Sequence, residues 1–94
     1  MYIITTIPCY LSFVGDKANS ISLKLPIGSE ILKVKRITSY KLDVVVKLNY
    51  SVKQEIEYVL TFFKDDEEIP DSNKYINSFK TMYKDIFHIC LFVK

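Results

Sequence analysis

His88 is the only histidine in the chain, and its two cysteines, Cys9 and Cys90, stand near opposite ends. General acid or base work needs a partner that orients and tunes the imidazole, and no motif around Phe87-His88-Ile89 supplies one. His88 therefore reads as a structural histidine whose ring nitrogens bond to backbone or to a tyrosine. Without a Cys-x-x-Cys pair, and with one histidine, zinc ligation within one subunit is not expected. The thiols read as two buried cysteines that pairing of the first and last strands would bring together. The acidic stretch Asp65-Asp66-Glu67-Glu68-Ile69-Pro70-Asp71 lacks the alternating ligands and turn glycine of a calcium loop. Two separated glycines cannot build a phosphate loop, and neither a nucleophile elbow nor a His-x-x-x-His pattern occurs. The residues point away from an enzyme, and no metal or cofactor is expected.

The one charge feature with a chemical use is basic. Lys33, Lys35 and Arg36 face Lys41 and Lys47 across an expected hairpin, with Tyr40 and Tyr50 at its ends. Strand alternation puts Lys33 and Lys35 on one face and Lys41 and Lys47 on the outward face of the partner strand. Such a surface can hold phosphates by charge and bases by stacking. The same lysines also serve as a solvated face that resists edge pairing, and both readings stay open.

The 94 residues predict one domain, residues 1–94. A chain this short buries only about 60–65% of its unfolded surface, which makes a homo-oligomer an expected way to gain stability. Hydrophobic residues make up 49% and aromatic residues 14%, with seven Tyr, six Phe and no Trp, too many for a disordered tail. A net charge of +2 is far from the strong basic bias of a sequence-independent DNA coat. The opening Met1-Tyr2-Ile3-Ile4 has no basic leader and is interrupted by Thr5, Thr6 and Pro8, unlike a signal peptide. No apolar run reaches the ~20 residues of a membrane helix. The expectation is a protein away from the membrane, in a reducing cytosol where its thiols stay free.

β-branched and aromatic residues recur at period two, the mark of half-buried strands. Residues 2–7 read as a strand ended by Pro8, and residues 15–19 as a turn. Ile21, Leu23 and Leu25 alternate with Ser20, Ser22 and Lys24, and Pro26-Ile27-Gly28-Ser29 breaks that strand. Residues 30–38 and 41–49 form a hairpin through Ser39-Tyr40, with Leu42, Val44, Val46 and Leu48 on the core face. Its first arm changes phase between Val34 and Ile37, which a β-bulge near Lys35-Arg36 repairs. Residues 55–64 place Ile56, Tyr58, Leu60 and Phe62 on one face, with Val59 and Phe63 partly covered opposite. The acidic run is a solvated loop. Residues 73–79 read as a short strand or a single helical turn, and residues 85–93 as a strand apolar on both faces, hence central in a sheet or covered by another subunit. Two alternatives remain: helix over 73–83, or a longer turn within 50–57. The fold class is all-β with at most one short helix, an antiparallel sandwich or half-barrel of six or seven strands.

One stretch goes beyond patterning. Leu25-Pro26-Ile27-Gly28-Ser29-Glu30-Ile31-Leu32-Lys33-Val34 resembles the Pro-x-Gly-Ala-x-Ile-Leu-x-Val opening of a family of small uncharacterised phage and prophage proteins. Tyr75-Ile76 and Ile86-Phe87-His88-Ile89 stand in the order of that family's later Tyr-Ile segment and aromatic-x-His-x-aromatic strand. Phe63-Lys64-Asp65 stands where the family often carries Gly-Thr-Gly. In size and class the chain is also similar to viral sponges that sequester cyclic nucleotide immune signals, the anti-CBASS proteins. The resemblance implies a phage-encoded, non-enzymatic anti-defence protein in the host cytoplasm. It would bind a nucleotide with Lys33, Lys35 and Arg36 on phosphate and Tyr40 or Tyr83 on a base. The alternatives are a structural or host-protein-binding inhibitor module and, third, a single-stranded nucleic-acid binder.

Overall fold

Residues 20–26 and 41–47 put an apolar side chain at every second position, and two sheets form around these strands. The computed structural model describes residues 2–13, 16–48 and 60–93. They form β1 (Tyr2–Phe13), β2 (Asp16–Pro26), β3 (Glu30–Thr38), β4 (Lys41–Lys47), β5 (Leu60–Lys64), β6 (Glu67–Glu68), a 3-10 turn (Ser72–Tyr75), β7 (Ile76–Tyr83) and β8 (Ile86–Val93). The chain is all-β. One sheet has the order β1-β2-β5-β6 and the other β3-β4-β8-β7, and every pairing is antiparallel. The two sheets face each other as a sandwich and do not close into a barrel. No helix of the described residues is long and apolar enough to cross a membrane.

The core lies between the sheets and comes mostly from their central strands. Ile21, Leu23 and Leu25 of β2, with Ile7 and Leu11 of β1 and Phe62 of β5, pack toward Leu42, Val44 and Val46 of β4 and Phe87, Ile89, Leu91 and Val93 of β8. Each fully buried aliphatic or aromatic side chain of this kind stabilises the fold by about 1.5–3 kcal/mol. β8 lies between β4 and β7, as its two-sided apolar sequence predicts. Its second face, with Ile86, Cys90 and Phe92, is only half-buried.

Several boundaries differ from expectation. β1 runs through Pro8 to Phe13, because β1 is an edge strand on which a missing N–H costs no ladder bond. Asp16–Asn19 belong to β2 rather than to a turn, and Gly15 lies outside the described residues. The phase change of β3 is made by two irregularities, at Leu32 and at Ile37, which flank the expected place at Lys35-Arg36. Each inserts one residue that β4 does not match, so Leu32 and Ile37 are extruded to solvent. The acidic run is not wholly a loop: Asp65 and Asp66, with φ of 51° and 66°, turn the chain so that Glu67 and Glu68 pair back on β5. Aspartate tolerates this left-handed backbone, which two-residue hairpin turns require. Residues 72–75 form a single 3-10 turn and 76–83 a strand, so the helical alternative for 73–83 fails beyond that turn. With these elements the described residues hold eight strands, against six or seven expected. Residues 50–59, including the expected faces of Ile56, Tyr58 and Val59, lie outside the described residues.

Candidate ligand-binding cleft

The edges β1 and β3 meet along a seam between the sheets. At one end the Ser12 N–H of β1 donates to the Ser39 carbonyl at 2.8 Å and ties the edges together. Beyond this tie the register of β1 against β2 shifts between Pro8 and Leu11. Cys9 and Tyr10 there oppose the single residue Asn19, a bulge that bends the strand and re-aims its side chains. The seam opens at this bulge into a cleft of about 510 Å³ lined by Ile7, Cys9, Tyr10, Asn19, Val34, Arg36 and Leu42, among others.

The lining is mostly apolar, with Arg36 as its cation, and Lys17 reaches the Tyr10 ring from beside the cleft. The Arg36 guanidinium carbon lies 5.7 Å from the centre of the Tyr10 ring, and Lys17 Nζ lies 5.7 Å from it as well. Hydrogen bonding to Lys17, then to Ser12, with the charges of Lys17 and Arg36 adding, holds the Tyr10 phenol below its usual range. Asn19 is fixed from behind: its Oδ1 accepts from the Asp65 N–H and its Nδ2 donates to Asp65 Oδ1, both at 3.1 Å. Burial pushes the Cys9 thiol up to about 11, so at neutral pH the cleft holds a neutral thiol and no thiolate nucleophile. The arrangement can bind an anion beside an apolar group.

The outer face of the β3-β4-β8-β7 sheet is the second place where reactive types meet. Cys90 Sγ donates to Asp43 Oδ1 at 3.6 Å, and His88 Nδ1 stands 3.7 Å from the same oxygen. The carboxylate thus sits between thiol and imidazole, whereas nucleophilic catalysis needs the imidazole beside the thiol. Burial and then the Asp43 charge raise the Cys90 thiol, again the wrong direction for a nucleophile. His88 Nδ1 thus faces the Asp43 carboxylate, beyond hydrogen-bond distance. Cys9 and Cys90 are both free cysteines, on different sheets. Among the described residues no group of three His, Cys, Asp or Glu is placed to hold a metal ion.

The sequence-derived site residues occupy four separate places. Lys33 pairs with Val45 and Lys35 with Asp43, which puts both on the outer face together with Lys41 and Lys47. Arg36 pairs with the buried Leu42, so it projects to the opposite side and reaches the cleft. Tyr40 is in the hairpin turn, where its carbonyl accepts from the Val93 N–H at 2.9 Å. Tyr83 ends β7 on the far edge of the sheet, about 14 Å from β3 at the usual strand spacing. Only Arg36 joins an aromatic ring in a cleft, and that ring is Tyr10. Sequence reasoning missed Tyr10, Lys17 and Asn19. The signal was the spacing: Ile7 and Leu11 lie an even number of residues apart, Ala18 and Ile21 an odd number, and the mismatch requires a bulge between them. No family model, no curated protein and no solved structure matches the chain.

Proposed function

We propose that the chain is a non-enzymatic binding protein that sequesters a phosphate-bearing nucleotide in the seam cleft. The single observation that carries this reading is the pair of cations, Arg36 and Lys17, set on the Tyr10 ring at the mouth of an apolar cleft. Phosphate would meet Arg36 and Lys17 by charge-assisted hydrogen bonds, and the base would lie against Ile7, Val34 and Leu42. Viral nucleotide sponges, to which the chain is similar in size and class, need this chemistry, and on this reading the protein is a phage anti-defence factor that works in the host cytoplasm as a homo-oligomer. Lys33 and Lys35 then act as protective charge on the outer face and edge of β3. Thermal-shift and calorimetric titration with cyclic di- and trinucleotides test the reading, because a ligand that binds only the native state raises the melting temperature.

A second reading rests on a different observation. Lys33, Lys35, Lys41 and Lys47 share the outer face with exposed Phe79 and Tyr83, which fits a protein-interaction module or a single-stranded nucleic-acid surface. Salt separates the cases: a polyanion contacting many phosphates gives a steep salt slope, a dinucleotide a shallow one.

A further inference from the structure

The outer face of the β3-β4-β8-β7 sheet repeats itself along the strands. Strand pairing sets its outward residues in four rows, one at every second residue. The first row holds Lys41 and Phe92, and the second Lys35 and Phe79. The third holds Lys33 and His88, and the fourth Lys47 and Tyr83. Each row thus has one ammonium group and one ring, and successive rows are about 7 Å apart along the strands.

The two kinds of side chain do not mix. All four lysines are on β3 and β4, and all four rings on β8 and β7. The rings alternate between their two strands, so each is a diagonal neighbour of the next, about 7–8 Å away across the pair. Phe79 is 60% exposed, Tyr83 73% and the His88 side chain 43%, while Phe92 is half-buried. The lysines are all exposed. Asp43 and Glu30 are the carboxylates that these strands carry on the same face, two against four lysines.

We infer that this face binds a single strand of nucleic acid, bases on the rings of β8 and β7 and phosphates along the lysines of β3 and β4, a site that rests on the second reading above and not on the seam cleft. The occupant is read from the repeat. A single strand carries one negative charge and one flat π-face per nucleotide, the pair that each row offers. An acidic protein segment supplies the charge without the regular flat ring, and a duplex keeps its bases stacked inside. Other four-stranded sheets stack two or three bases on exposed rings of one face. In the first row the two halves already touch, with Lys41 Nζ 5.2 Å from the centre of the Phe92 ring. Stacking accepts every base, so the face selects single strands over duplexes rather than one sequence over another.

Fluorescence anisotropy of labelled oligothymidylate and oligouridylate, each about eight nucleotides long, tests this with the full chain. Both are expected to bind, the tighter of the two naming DNA or RNA as the source, and a duplex of the same length to bind more weakly. Phe79→Ala/Tyr83→Ala should weaken binding about tenfold or more by removing two stacking rings. Lys33→Ala/Lys35→Ala should lower the slope of log affinity against log salt by about 1.4, the counterions of two phosphates on a single strand. Arg36→Ala should bind both oligonucleotides as the wild type does, so the failure of this site and that of the cleft are read separately. All the substituted positions are exposed, and circular dichroism checks that each variant stays folded. No binding of either oligonucleotide at low salt overturns the proposal, as does equal affinity for the duplex or unchanged affinity in Phe79→Ala/Tyr83→Ala.

Discussion

Arg36 of β3 and Tyr10 of β1 come from different sheets, and the guanidinium carbon stands 5.7 Å from the centre of the ring. On the β1 side the contact lies at the bulge of Cys9-Tyr10 against Asn19, and on the β3 side Arg36 takes the core-facing side through its register with Leu42. Because Arg36 and Lys33 or Lys35 lie on opposite faces, the basic cluster of β3 divides into a cleft residue and two surface residues. This division makes the first prediction. Arg36→Ala should weaken binding of a cyclic nucleotide by about 1.5–3 kcal/mol, the scale of a charged hydrogen bond. Lys33→Ala/Lys35→Ala should leave it unchanged. Titration calorimetry decides, and the reverse ranking would move the site to the outer face.

Tyr10 should ionise below the usual tyrosine range when tyrosinate absorbance is followed against pH. Lys17→Met should move that early step back most, since the Lys17 hydrogen bond is its largest cause, and Arg36→Ala should move it less. The sign for stability follows. A phenol held low in the fold favours the native state above the unfolded tyrosine range near ~10, and that contribution is lost as pH falls through the folded value. Tyr10→Phe should remove both the early absorbance step and this slope. An unchanged absorbance curve in Tyr10→Phe contradicts the assignment.

The Cys9 thiol, pushed up to about 11, should resist alkylation by iodoacetamide at neutral pH in the native protein and react readily in denaturant. Mass mapping of the labelled peptides checks this. Rapid native labelling of Cys9 would show that the cleft floor is wetter than its lining implies.

The alternation of Ile21, Leu23 and Leu25, and of Leu42, Val44 and Val46, is enough to identify β2 and β4, since one face of each is buried and the other is not. The two-sided apolar run of β8 likewise marks a central strand. The extension of β1 past Pro8 was hidden because proline breaks interior strands and not edges, and position in a sheet is a tertiary property. The paired turn at Asp65-Asp66 was hidden because left-handed aspartates read as solvated charge. The cleft was legible only through Arg36. Its other residues come together through a mismatch between two strands, which neither strand shows alone.

β8 should contain the slowest-exchanging amides of the protein, because it is paired on both sides and its Phe87, Ile89, Leu91 and Val93 are core. Ile89→Ala should cost about 2–5 kcal/mol of stability, the range for truncating a fully buried aliphatic side chain. Exchange in residues 86–92 as early as in residues 65–72 would contradict the sandwich as described.

The central claim is that the seam cleft holds a phosphate-bearing nucleotide. Its most direct test is the melting temperature of the wild-type chain and of Arg36→Ala against cyclic dinucleotides and cyclic trinucleotides, with free nucleosides and inorganic phosphate as controls. At a hundredfold excess over the dissociation constant, native-state binding adds about 2.7 kcal/mol, which raises the melting temperature of a domain this size by about 10 °C or more. The account predicts that shift for at least one cyclic nucleotide, none for the nucleosides, and most of it gone in Arg36→Ala. No shift with any cyclic nucleotide, or an equal shift in Arg36→Ala, would contradict it.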